Sequence, residues 1–108
     1  MKIDRHAVYE KYGGRCAYCG RKIEYKDMQV DHMVAVCNGG TSDMCNLMPS
    51  CRRCNHYKRS SSIDGFRAKL QGVKRNLLDT YLGMVAIDYE MIVWVGWDGK
   101  FYFEGVTE

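Results

Sequence analysis

The chain has 108 residues, 46% of them hydrophobic, which is room for one compact domain with a small core and too little for two. No apolar run approaches the roughly 20 residues that span a bilayer, and the start, Met1-Lys2-Ile3-Asp4-Arg5-His6, lacks the apolar stretch of a secretory signal, so a soluble, cytoplasmic protein is expected. The formal charge of +3 hides a split: residues 1–75 carry 15 Lys+Arg against 7 Asp+Glu, net +8, whereas residues 76–108 carry Lys100 alone against six acids, net −5. A polyanionic partner fits the first part, and the tail is unsuited to phosphates.

Residues Asp4 to Tyr12 read as a short helix with Val8 and Tyr12 on one face, stopped by Gly13-Gly14. A cysteine pair follows, with Gly20 placed for a tight turn. Met28 to Val36 is rich in strand formers and is predicted as a strand. Asn38 to Asp43 is loop chemistry, and Asn46 to Ser50, with the only proline, Pro49, forms a second short strand. Cys51 to Lys58 begins a helix that the serines at 60–62 interrupt. Ser62 is a good N-cap for a further helix in which Ile63, Phe66 and Leu70 repeat at helical spacing, broken at Gln71-Gly72. Val73 to Val85 is again helical, with Leu77, Leu78, Tyr81 and Leu82 as its apolar face. The end reads as a hairpin: Ile92 to Trp97, Asp98-Gly99 as the turn, then Lys100 to Glu104, with Phe101 and Phe103 on one face and Tyr102 on the other. The last third is scaffold.

Six cysteines need an explanation. Intracellular thiols stay reduced, so the pattern argues for metal or catalysis before disulfides. Cys16/Cys19 and Cys51/Cys54 are two Cys-x-x-Cys pairs separated by 31 residues. Each pair is a tight way to put two thiolates on one ion, and tetrahedral zinc wants four. Neither pair has the βαβ context of a redox motif. Asn55, where a haem attachment motif requires histidine, excludes that alternative. Cys37 and Cys45 flank the glycine loop and are read as non-ligands.

Between the pairs lie Val30-Asp31-His32, Gly39-Gly40 and Asn46-Leu47, and just beyond the second come Asn55 and Lys58. In this combination the chain resembles the HNH endonucleases, the ββα-metal nucleases, over about residues 4–58. It is similar to small phage-type members beyond that, through Phe66-Arg67 and Phe101 to Glu104. Two positions depart from the family pattern: Asn55 stands where histidine is common, and Ala35 where many members have proline.

The resemblance implies an α+β fold: a ββα-metal core with a four-cysteine zinc site, flanking helices and a C-terminal β-hairpin. Residues 1–108 then form a single nuclease domain, with the metal core at about 4–60 and the helical and hairpin scaffold at about 61–108. It implies a DNA partner, with other phage or mobile-element proteins as further candidates, structural Zn²⁺, and Mg²⁺ or Mn²⁺ for catalysis. By resemblance His32 is the general base, Asp31 and Asn55 hold the catalytic metal, and Asn46 steadies His32 through a hydrogen bond. Lys58, three residues after Asn55 on the same helical face, is placed to meet a phosphate, and Arg52, Arg53 and Arg59 extend a basic surface along DNA.

The residue types suit that chemistry. An imidazole such as that of His32 can take a proton from water, and Asp31 and Asn55 offer the oxygen ligands that hard cations prefer. Adjacent strand side chains point to opposite faces, so the strand must end or twist at Asp31-His32 for both to be used. His6 and His56 lie outside the motif. A non-catalytic zinc module that binds nucleic acid would explain the cysteines and the charge but leave Asp31, His32, Asn46 and Asn55 without a role. A zinc-dependent nucleobase deaminase is rejected, because His32 is followed by Met33-Val34 and Ser50 separates Pro49 from Cys51.

Overall fold

Asp4 opens the first helix in the computed structural model, which describes residues 3–106. Its carboxylate accepts from the Ala7 N–H at 3.1 Å, satisfying one of the donors that a helix start leaves over. The chain forms two compact units, one of the residues up to Ile63 together with those from Lys100 onward, the other Asp64–Gly99.

The first unit holds α1 (Arg5–Glu10), β1 (Gln29–His32), β2 (Leu47–Ser50), α2 (Arg52–Lys58) and α6 (Tyr102–Gly105). The two strands pair antiparallel, with Gln29 opposite Ser50 and His32 opposite Leu47. A small core forms where Val8 of α1 meets Met28 and Leu47, with Tyr9, Ile23 and Val30 packed around them. β2 is buried along its whole length, and Lys11 anchors its approach by donating to the carbonyls of Met44 (2.7 Å) and Leu47 (2.9 Å). Gly20 adopts φ +78°, and a Cβ there would lie 2.9 Å from the Tyr102 ring, so the turn after the first cysteine pair requires glycine.

The second unit holds α3 from Asp64 (the helix spans Ile63–Gln71), α4 (Val73–Leu78) and α5 (Tyr81–Asp88). Phe66 and Leu78 are buried. No helix among the described residues is long and apolar enough to cross a membrane.

Three expectations need correction. The first strand stops at His32 and does not run to Val36; 3-10 turns and the Gly39-Gly40 loop take over. The helix expected over Val73 to Val85 is two helices, because the Thr80 hydroxyl accepts from the Gly83 N–H at 3.0 Å and caps a new start. Its supposed apolar face keeps only Leu78 buried, with Leu77, Tyr81 and Leu82 exposed. No strand forms over residues 92–104, so the C-terminal hairpin is absent. The Phe101 N–H is capped by Glu104 at 2.9 Å, and the N–H groups of Tyr102 and Phe103 donate to Tyr18 and Ala17 (3.0 and 2.8 Å). The donors a hairpin ladder would use are already engaged, and α6 begins in place of a strand.

Candidate active site and metal centre

Local turns converge the four cysteines. In the first pair, Cys16 N–H donates to the Arg21 carbonyl (2.9 Å) and Gly20 N–H to that of Cys16 (3.0 Å), closing the knuckle. The Ala17 N–H donates to Pro49 at 2.8 Å, which docks this knuckle on the end of β2, just before Cys51. In the second pair Cys51 is the N-cap of α2, its sulfur accepting from the Cys54 N–H at 3.4 Å. The sulfurs of Cys16, Cys19, Cys51 and Cys54 therefore lie within 4.8 Å of one another, with Cys19 and Cys51 at 3.9 Å. Zinc–thiolate bonds of about 2.3 Å set tetrahedral sulfur–sulfur edges of about 3.8 Å, so the donor set fits a four-coordinate ion.

Hydrogen bonds from Cys19 and Cys54 pull the Cys16 thiol far below its usual range, while the hydrogen bonds with Cys16 push Cys19 and Cys54 up. The Arg21 guanidinium is pushed up by its hydrogen bond to Cys51. Cys37 and Cys45 are exposed and lie outside the cluster.

The strand end carries Asp31 inward and His32 to the other side, as strand alternation requires. Asp31 is 6% exposed, and its Oδ2 is shared by the Lys58 ammonium at 3.2 Å and the Tyr18 hydroxyl. Burial pushes the Tyr18 phenol well above its ordinary range, and the charge of Asp31 adds to the shift. Lys58 is fully buried and also donates to the His32 carbonyl at 3.3 Å. The expectation that Lys58 meets a phosphate is thus corrected: its ammonium is turned into the protein, onto Asp31.

His32 is half-buried, its Nε2 3.1 Å from the Ser42 hydroxyl. Buried Asn46 does not bond the His32 ring, contrary to expectation. Its amide oxygen accepts from the Val34 N–H (2.8 Å), and its nitrogen donates to the carbonyls of Val34 (3.0 Å) and Thr41 (2.7 Å). Asn46 therefore steadies the histidine indirectly, by closing the loop that returns Ser42 to it. The same loop needs Gly40, where a Cβ would fall 1.7 Å from the Val34 carbonyl oxygen. Asn55 is half-buried on α2, with no side-chain hydrogen bond among the described residues. The four cysteines are the only cluster of three or more His, Cys, Asp or Glu ligands among the described residues, so a second cation site would need an oxygen such as that of Asn55.

Residues 16–61 match the HNH endonuclease family. Those residues are an HNH endonuclease domain. The chain is 28% identical over 96 residues (80% of this chain, 9% of the relative) to the CRISPR-associated endonuclease Cas9 of Corynebacterium diphtheriae. With the Cas9 of Actinomyces naeslundii it shares 37% identity over 60 residues, 55% of this chain and 5% of that protein. A crystal structure of the Type II-C Cas9 enzyme from Actinomyces naeslundii superposes with a TM-score of 0.49 at 26% identity, over 63% of this chain and 9% of that one. The chain thus spans less than a tenth of the length of the curated relatives it matches.

In the HNH domain, Arg52 and Arg53 are exposed at the start of α2, and Arg59 is exposed just past its end. Arg52, Arg53 and His56 line an open concavity of about 640 Å³ together with Arg21, Lys22, Glu24 and Asp27. Arg59 is not among its lining residues. Arg21 and Lys22, like Tyr18 and Ser42, were not singled out by the sequence reading. The turn after the first knuckle joins Arg21 and Lys22 to the α2 arginines only in three dimensions.

Proposed function

We propose that this HNH domain hydrolyses DNA phosphodiester bonds, with His32 as general base, Asp31 and Asn55 as ligands of the catalytic cation, and Zn²⁺ in the four-cysteine site. The observation that carries the reading is the end of β1, where the half-buried His32 directly follows, on the other side of the strand, a buried carboxylate whose Oδ2 is occupied and whose Oδ1 has no partner among the described residues. The strand end thus supplies both a base for water and an oxygen ligand for a hard cation.

Ser42 holds Nε2 of His32 through its hydroxyl, which orients the ring and biases its tautomer. His32 takes a proton from the attacking water. A divalent cation such as Mg²⁺ or Mn²⁺, when bound at Asp31, supplies Lewis-acid stabilisation of the charge on the phosphate and the leaving oxygen. Lys58 acts on the carboxylate, holding Asp31 in place through its Oδ2. Arg52, Arg53 and Arg59 neutralise backbone phosphates without reading bases.

A plasmid nicking assay in Mg²⁺ or Mn²⁺ tests this directly. His32→Ala is expected to lose about 10²–10⁴-fold in cleavage rate while still binding DNA and retaining its metal at the cysteines. Added imidazole is expected to restore part of the rate. Near-normal cleavage by a well-folded His32→Ala overturns the assignment. No nicking by wild type under any divalent ion, with DNA binding intact, turns the domain into a nucleic-acid-binding module.

A further inference from the structure

Tyr18 occupies the two-residue spacer of the first cysteine pair, yet its side chain ends on Asp31. It is 3% exposed. Its N–H donates to the Cys16 sulfur at 3.4 Å, so the cysteine site fixes its backbone. Its ring meets Phe101 and Phe103 edge-on, with centroids at 5.6 and 6.1 Å, and those two rings stack on each other. Its carbonyl and that of Ala17 accept the N–H groups of Tyr102 and Phe103, which ties the aromatic pair to the knuckle. Backbone, ring and hydroxyl are each held by a different partner, and the hydroxyl holds the carboxylate.

The second half of the argument is the division of Asp31. Both of its bonds, from Tyr18 and Lys58, fall on Oδ2. Oδ1 has no hydrogen-bond partner among the described residues. No buried side-chain polar atom there lacks a partner, so Oδ1 must be the atom through which Asp31 reaches solvent. A carboxylate held on one oxygen and open on the other is oriented for a ligand.

We propose that Tyr18 is a positioning residue for the cation held by Asp31, coupling the four-cysteine site to the catalytic carboxylate. By occupying Oδ2 it turns Oδ1 outward and removes the rotational freedom that cation binding would otherwise have to freeze. Integrity of the cysteine site then sets the affinity of the second site. This rests on the reading of Asp31 as a cation ligand.

The test is Mn²⁺ binding to the zinc-loaded full chain without DNA, followed by EPR and calorimetry, for wild type, Tyr18→Phe and Asp31→Asn. Tyr18→Phe keeps the ring and removes only the hydroxyl. It is expected to weaken Mn²⁺ binding by about 10–100-fold, the usual effect of removing a hydrogen bond behind a ligand, with zinc content unchanged. Asp31→Asn is expected to abolish saturable binding. If Asp31→Asn binds Mn²⁺ like wild type, the ligand reading fails and takes the proposal with it. If Asp31→Asn loses binding while Tyr18→Phe keeps the wild-type Kd, the ligand reading stands and the positioning role is overturned. Phe103→Leu loosens the grip on the ring without touching a cysteine, and is expected to weaken Mn²⁺ several-fold. Should Tyr18→Phe fail to fold, an unchanged Kd in Phe103→Leu overturns the proposal.

Discussion

Replacing Lys58 with methionine separates the buried role seen here from the phosphate contact that its spacing implies. Methionine keeps most of the stem volume and deletes only the charge. The Lys58 side chain is 0% exposed and that of Asp31 7%, with the ammonium 3.2 Å from Oδ2 and a further bond to the His32 carbonyl at 3.3 Å. Without the ammonium, Asp31 keeps only the Tyr18 hydroxyl on Oδ2, in a pocket from which water is largely excluded. Breaking one side of a buried pair costs about 3–5 kcal/mol. At about 4–8 °C per kcal/mol for a domain of this size, Lys58→Met should lower Tm by at least about 12 °C at neutral pH. Thermal and urea melts of the zinc-loaded protein measure this. The double variant Lys58→Met with Asp31→Asn should recover part of the loss, because no buried charge is then left unpaired. A solvated lysine that reached for a phosphate would cost at most roughly 0.5 kcal/mol. A shift of no more than a few degrees, with a lower salt slope in DNA binding, would refute the buried-pair account.

Other outcomes can be stated briefly. About one zinc per chain should survive weak chelators, and Cys51→Ser or strong chelation should largely unfold the first unit, since structural zinc contributes roughly 10–16 kcal/mol in small peptides; elemental analysis with circular dichroism checks this. Arg52→Ala and Arg53→Ala should each lower the slope of log affinity against log salt by about 1, with Arg21→Ala behaving alike because it faces the same concavity; filter binding across salt concentrations measures it. The Tyr18 phenol is pushed above its ordinary range, first by burial and then by Asp31. Its contribution to stability is therefore complete below the unfolded value of about 10 and is lost as pH rises through the higher folded value. Alkaline melts should fall less steeply above about pH 10 in Tyr18→Phe than in wild type, and equal slopes would contradict the assignment.

What could be read in advance divides along physical lines. The Cys-x-x-Cys pairs were legible because a knuckle is a local structure, and four sulfurs on one ion need only that two knuckles meet. The strand end was half legible: strand formers carried the predicted strand to Val36, while the need for Asp31 and His32 to serve one site asked for an end or a twist at His32, where the strand stops. The break at Thr80 was available from its capping chemistry but was hidden by the apolar spacing of Leu77, Leu78, Tyr81 and Leu82. Lys58 was misread for a different reason. Its helical position is local information, whereas a four-carbon stem lets the ammonium travel to whichever anion the tertiary fold brings near, and here that anion is Asp31. Strand propensity with an Asp-Gly turn likewise predicted a hairpin whose donors the first knuckle had already taken.

The same limit conceals Tyr18, and for Asn46 it conceals the route by which that residue steadies His32. Each lies in a stretch whose local meaning is complete without it, a knuckle spacer in one case and the lead-in to a strand in the other. Tyr18 acts on Asp31 across 13 residues, and Asn46 acts on the His32 loop through the backbone of Val34 and Thr41. Motif residues that bear chemistry announce themselves by type and spacing. A holding residue outside the motif, such as Tyr18, announces nothing, because an oriented hydroxyl acquires its role only from the atom that folding puts opposite it. In this domain both holding residues are tied to local structure, the cysteine site and the glycine loop, so Asp31 and the loop beside His32 are positioned by parts of the chain outside the proposed catalytic groups.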